Sequence, residues 1–137
     1  MKEPYVYKVS KISKVVDGDT VDVIIDLGFD ISLAKRIRLS GVDTPESRTR
    51  DLKEKKFGLE AKEWLKEHLA AAKEILIRTD LGDEKYGRVL GVLYTDGDET
   101  SLNEHIIEQG YAWKYEGGTK RKDFDVLLAR RTGQGTE

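Results

Sequence analysis

Three short motifs gather the residues that could do chemistry. Val16-Asp17-Gly18-Asp19-Thr20 reads as a turn entering a strand. Arg38-Leu39-Ser40-Gly41-Val42-Asp43-Thr44-Pro45-Glu46 reads as a strand end running into a loop, and Lys85-Tyr86-Gly87-Arg88 as a loop entering a strand. Together they bring three carboxylates, Asp19, Asp43 and Glu46, and two guanidiniums, Arg38 and Arg88, to strand boundaries. Phosphodiester hydrolysis uses such a set. A hard dication takes oxygen ligands, and two aspartates at loop positions supply charge while leaving room for water and phosphate. A further carboxylate positions or deprotonates the attacking water. Paired guanidinium hydrogen bonds hold the charge that builds on phosphate oxygens in the transition state. Each motif alone is weak, since Asp-Gly-Asp-Thr is a common turn and Tyr-Gly-Arg is close to noise. The signal is their order and their placement.

Other chemistries have little support. The chain has no cysteine, which removes disulfides, thiolate metal sites and a cysteine nucleophile. Its two histidines, His68 and His105, lack ligand spacing and read as packing or surface residues. Asp96-Gly97-Asp98-Glu99 lacks the later bidentate acid of a calcium loop and reads as a strand-to-helix turn. Asp22, Asp26 and Asp30 read as solvent-facing. No Gly-rich phosphate loop of the GxxxxGK[ST] type and no GxSxG elbow is present.

The elements that must position the motifs follow from periodicity. Strands are expected over Tyr5–Val16, Thr20–Leu27, Leu33–Ser40, Glu74–Thr79 and Arg88–Tyr94. Gly41–Glu46 and Asp80–Gly87 read as loops. Phe57, Ala61, Trp64, Leu65, Leu69 and Ala72 recur at helical spacing and predict a helix over Phe57–Ala72. Ser101 and Glu104 form a capping-box pattern opening a short helix that stops at Gly110. A last short helix is expected over Asp123–Arg131, with residues 132–137 as a frayed tail. Five strands and about three helices, with a helix after the third strand, match an α+β, mainly β, OB-type barrel. At 137 residues, a single domain spanning 1–137 is expected.

These motifs resemble the staphylococcal-nuclease family over nearly the whole chain. The resemblance rests on Asp-Gly-Asp-Thr, Arg38 to Glu46, the helix opening Phe57-Gly58-x-Glu60-Ala61, Lys85-Tyr86-Gly87-Arg88, and Leu102-Asn103-Glu104 leading to Gln109-Gly110. It implies a Ca2+-dependent, sugar-nonspecific nuclease. Asp19, Asp43 and the Thr44 carbonyl would ligate Ca2+, and Glu46 would act as general base or water-orienting group. Arg38 and Arg88 would bind the scissile phosphate, and Lys85 and Tyr86 a terminal phosphate. Family members cut the bond to the 5′ oxygen of DNA and RNA and leave 3′-phosphate ends. The chain departs from the type member in a longer link between Asp19 and Arg38, in its own basic pattern over Ser47–Lys56, in a shorter C-terminal helix, and at Tyr111-Ala112-Trp113-Lys114-Tyr115, where Tyr115 or Trp113 is the candidate for stacking on a base. Domains of this fold also serve as non-catalytic modules that bind nucleic acid or protein. The presence of all five core residues favours the enzyme.

Net charge is −2 and the sequence pI is about 5.8, which argues against tight duplex coating and for single strands as the better substrate. Five basic residues against two acidic over Ser47–Lys56, and six against three over Lys114–Arg131, offer local phosphate affinity. The opening MKEPYVYKVS has no apolar signal-peptide core, and no run is apolar enough to span a bilayer. That reads as an intracellular protein, with a processed secreted form as the alternative. A monomer is the default expectation.

Overall fold

The structure is a computed structural model, and it describes residues 5–83, 89–115 and 122–133. Five strands close a barrel in the order β1-β2-β3-β6-β5. They are β1 (Val6–Asp17), β2 (Thr20–Asp26), β3 (Ser32–Leu39), β5 (Ile75–Asp83) and β6 (Val89–Thr95). A two-stranded ribbon, β4 (Val42–Asp43) with β7 (Trp113–Lys114), lies beside it. Three helices complete the fold: α1 (Leu52–Ala71), α2 (Leu102–Glu108) and α3 (Phe124–Arg131). This is the α+β, mainly β, OB-type barrel expected from the sequence.

Alternation builds the barrel. Val21, Val23 and Ile25 of β2 face inward, as do Ile37 and Leu39 of β3, while the residues between them face out. Three register irregularities in β1 against β2 let the 12-residue strand bend around the barrel. The ring closes where β3 runs parallel to β6, with Ile37 opposite Val89, Arg38 opposite Leu90 and Leu39 opposite Gly91. Asn103, at the start of α2 and 5% exposed, is set into this closure. Its Nδ2 donates to Ser40 O (2.9 Å) and Gly91 O (3.1 Å), and its Oδ1 accepts from Leu93 N (3.1 Å).

Helix α1 lies on the barrel through Ala61, Trp64, Leu65 and Leu69. His68 stacks on Trp64 at 3.8 Å, as a packing residue should. The capping box of α2 forms between Ser101 and Glu104. Gly110 follows it with a φ of +86°, where its bare Cα face lies against the Leu127 carbonyl and Arg131. Helix α3 buries Leu127 against Phe57 and Trp113 in a second small core, and Arg131 lies over the Tyr111 and Phe57 rings while bonding Glu60. Among the described residues no helix is long and apolar enough to cross a membrane.

The structure differs from the sequence reading at four places. Helix α1 begins at Leu52 rather than Phe57, because Asp51 caps it by accepting from Lys53 N and Glu54 N. Strand β5 continues to Asp83, which pairs with Val89, so Asp80–Asp83 is strand rather than loop. The loop Gly41–Glu46 contains β4. Asp22 is not simply solvated, since it forms a forked pair with Arg36 across β2 and β3 at 2.7 and 3.0 Å.

Candidate functional site

The site candidates gather where the β1–β2 turn meets the end of β3. Thr20 pairs with Arg38 across β2 and β3, which sets Asp19 beside the end of β3. Leu39 N donates to Asp19 O (2.8 Å), and Arg38 Nη1 lies 3.5 Å from Asp19 Oδ2. Both side chains are 15% exposed, so the pair is less screened than a surface one. Thr20 Oγ1 donates to Asp19 Oδ1 (2.9 Å). The same Arg38 Nη1 donates to Val42 O (2.6 Å) and Leu39 O (3.1 Å). One guanidinium nitrogen therefore ties Asp19 to the main chain that enters Asp43.

Asp43 is held in β4, opposite Trp113 of β7, and Tyr115 N donates to Gly41 O (2.9 Å) at the same ribbon. Asp43 and Thr44 are buried, at 5% and 3% exposed, and Pro45 is fully covered. Glu46 then emerges with an exposed side chain. Its main chain is held firmly. Glu46 N donates to Glu54 Oε2 (3.0 Å), and the next residue, Ser47, donates through Oγ to Asp17 Oδ1 (2.6 Å). A methyl group on Gly58 would sit 2.5 Å from Glu46 C and O and 2.6 Å from Ser47 N, so α1 lies directly against this peptide.

Charge is concentrated here. Burial pushes the Asp17 carboxyl above its ordinary range; the Ser47 hydroxyl offsets part of that and the Asp19 charge adds to it. The hydrogen bond to Glu54 raises the Lys122 ammonium, and the fields of Glu54, Glu46 and Asp43 act in the same direction. Lys122 Nζ lies 3.0 Å from Glu54 Oε1 and 2.9 Å from Oε2.

The structure thus brings Asp19 and Arg38 together, with the carbonyl of Val42, the residue before Asp43, tied to the same guanidinium. Tyr115 is 43% exposed with its ring 6.0 Å from Arg38 Cζ. Trp113 is buried in the second core and donates through Nε1 to Asp123 O, which makes it a packing residue. Lys85, Tyr86 and Arg88 lie outside the described residues. Two carboxylates and a main-chain carbonyl are all hard oxygen donors, a set that suits a dication. Among the described residues no three acidic or histidine side chains gather into a cage, so water and substrate oxygens would complete such a shell. Sequence reasoning missed Glu54, Ser47, Asp17 and Lys122. The available signal was Asp51-x-x-Glu54, a capping pattern inside a run read only for its basic charge.

Comparison with known proteins bears on the family of the chain. A family model described as "Staphylococcal nuclease homologue" matches residues 36–132. The thermonuclease of Staphylococcus hyicus is 32% identical over 102 residues, covering 74% of this chain and 56% of that protein. The thermonuclease of Staphylococcus intermedius is 34% identical over 101 residues, again covering 74% and 56%. An uncharacterised protein of Bacillus anthracis is 33% identical over 103 residues, covering 74% of this chain and 44% of the other. The chain thus spans about half the length of these curated relatives.

Proposed function

The chain belongs to the staphylococcal nuclease family, one of nuclease type, and on that premise we propose that it is a Ca2+-dependent, sugar-nonspecific nuclease of DNA and RNA. The observation that carries the reading is the use of Arg38. Among the described residues, the hydrogen bonds and ion pair of its guanidinium, to Leu39, Val42 and Asp19, all fall on Nη1. Its Nε–Nη2 edge is left to take a phosphate in the forked geometry that guanidinium favours.

Asp19, Asp43 and the Thr44 carbonyl hold Ca2+ in this reading. The bound ion supplies Lewis acidity toward a phosphoryl oxygen and a place for water. Glu46, exposed at the rim, orients or deprotonates the attacking water. The water oxygen joins phosphorus, the bond to the 5′ oxygen breaks, and that oxygen leaves with a proton, so the other end keeps a 3′-phosphate. Arg38 and Arg88 hold the phosphoryl oxygens as negative charge builds on them. Lys85 and Tyr86 take a terminal phosphate, and Tyr115, beside Arg38, offers an exposed ring to a neighbouring base. The acidic balance favours single strands as substrate, acted on by a monomer.

The test is degradation of single-stranded DNA with and without Ca2+, alongside a Glu46→Gln variant. Calcium-dependent cleavage that the variant loses is the expected result. A strand that is bound but left intact with every metal would replace this reading with a non-catalytic binding module.

A further inference from the structure

Glu46 has an exposed side chain, so the direction of its carboxylate depends on how firmly its main chain is held. Three contacts converge on that segment. Glu54, in the first turn of α1, accepts the Glu46 amide at 3.0 Å. The bare face of Gly58 lies against the Glu46 carbonyl and the Ser47 nitrogen. Ser47 bonds Asp17, two residues before Asp19 in the neighbouring turn. Glu54 is the unusual member. It is a carboxylate only 5% exposed, and burying a carboxylate is costly unless it is paired and hydrogen-bonded. Both its oxygens are engaged, Oε2 by the Glu46 amide and by Lys122, Oε1 by Lys122. A group so fully bonded has little freedom, and what it holds is held in place.

We infer that Glu54 is a positioning residue for the hydrolytic reaction: its buried carboxylate fixes the Glu46 main chain and thereby aims the Glu46 side chain at the water it acts on. The inference rests on the role given to Glu46 under the proposed function. Reach to the amide matters here, rather than charge. A glutamine at position 54 has the same length and still offers an oxygen to Glu46 N. An aspartate keeps the charge and the favourable place at a helix N-terminus but is one methylene short. Lys122, with 39% of its side chain exposed, can turn to solvent in either variant.

The experiment measures kcat and KM on a single-stranded oligonucleotide with saturating Ca2+. It compares Glu54→Ala, Glu54→Asp, Glu54→Gln, Glu46→Gln and the double variant Glu46→Gln/Glu54→Ala, with thermal unfolding recorded for each. Misplacing a catalytic group by about 1 Å can cost on the order of 100-fold. Glu54→Ala and Glu54→Asp are therefore expected to lose up to about that in kcat with KM within about threefold, while Glu54→Gln stays near the parent. The double variant should be no slower than Glu46→Gln, because a residue acting through Glu46 has nothing left to position. Retained kcat in a folded Glu54→Ala or Glu54→Asp protein overturns the inference. Losses that multiply in the double variant, or an active Glu54→Asp beside an inactive Glu54→Gln, do the same. If Glu54→Ala fails to fold, the Asp and Gln variants decide alone. Full turnover in Glu46→Gln is a different result: it removes the catalytic reading of Glu46 and the positioning role with it.

Discussion

Arg38 has a structural task and a proposed catalytic one, and a lysine could not do both. Its planar fork lets Nη1 serve Asp19 and two carbonyls while the opposite edge stays open among the described residues. An ammonium is a point donor and must choose. Arg38→Lys is expected to cut kcat by about 100–1,000-fold, the range for losing one well-placed transition-state donor. Steady-state kinetics beside an unfolding curve will show it, and turnover within about threefold of the parent would take Arg38 out of the phosphate site. Asp22 tests ordinary electrostatics on the barrel's outer face. The hydrogen bonds from Arg36 hold its carboxyl below the usual range. A carboxyl with a lowered folded pKa adds stability that is present above its unfolded pKa and is lost as pH falls through the folded one. Asp22→Asn should therefore lower the unfolding midpoint slightly at neutral pH, and the difference should shrink as pH falls below the ordinary aspartate value of about 3.9. Arg36 is half exposed, so added salt should shrink the effect as well. An equal midpoint difference at low and neutral pH would mean that Asp22 acts through packing instead. At this scale the sequence was informative about residue type. Asp19, Arg38, Asp43 and Glu46 stand out because carboxylates and guanidiniums recur together and in order at successive strand ends, although each turn alone is ordinary. Glu54 and Ser47 do not stand out, because burial of a polar residue is set by what packs over it.

Helix α1 acts as the platform on which the Glu46 segment rests, and Gly58 is the point of contact. In a helix interior Gly→Ala ordinarily gains about 0.5–1 kcal/mol. Here the added methyl would meet main-chain atoms of Glu46 and Ser47 at 2.5 and 2.6 Å, and backbone cannot step aside as a flexible side chain does. Gly58→Ala is expected to reverse the usual sign, destabilising by about 1–3 kcal/mol as overpacked cores do and displacing Glu46 from its working position. Urea denaturation and kcat together check it; a stabilised, fully active variant would show that the helix can move away from the loop. The first turn of α1 also marks where periodicity stops being readable. Phe57 onward carries the apolar stripe, so the helix was visible from there. Leu52–Lys56 holds one exposed leucine and mostly charged residues, and only the Asp51 cap betrays its helical state. β4 and β7, at two residues each, are too short to leave a period of two, and their pairing joins residues far apart in the chain. Strand β5 runs past Thr79 through an irregularity in its pairing with β6, over Asp80 and Gly82, residue types that strands disfavour.

For the whole molecule the decisive step is closure of the barrel. Antiparallel pairs join β1 to β2, β2 to β3, β5 to β6 and β1 to β5, but the ring is completed by a short parallel contact of three register pairs between β3 and β6. A closed barrel needs that seam, since it removes the last open strand edges. Asn103 reinforces the seam from α2. Its amide donates to the carbonyls of Ser40, just past β3, and of Gly91 within β6, and accepts from Leu93 of β6. Donor and acceptor needs agree with a single orientation of the amide. The same seam ends at Leu39 and Ser40, one step before Gly41 and the β4 residues Val42 and Asp43, so closing the barrel and presenting the proposed metal ligand are one event. Asn103→Ala would strip a buried N–H of its acceptor and two carbonyls of a donor, which should cost about 1–3 kcal/mol. The urea midpoint should fall with the slope unchanged, because the surface exposed on unfolding is the same. In the folded variant, half-saturation should require more Ca2+, since Asp43 hangs from the loosened end of β3. A stability within about 0.5 kcal/mol of the parent would mean that strand pairing closes the barrel without help from α2. A large loss of stability with unchanged Ca2+ dependence would instead separate the seam from the site and place the anchoring of Asp43 wholly on Arg38 and β7.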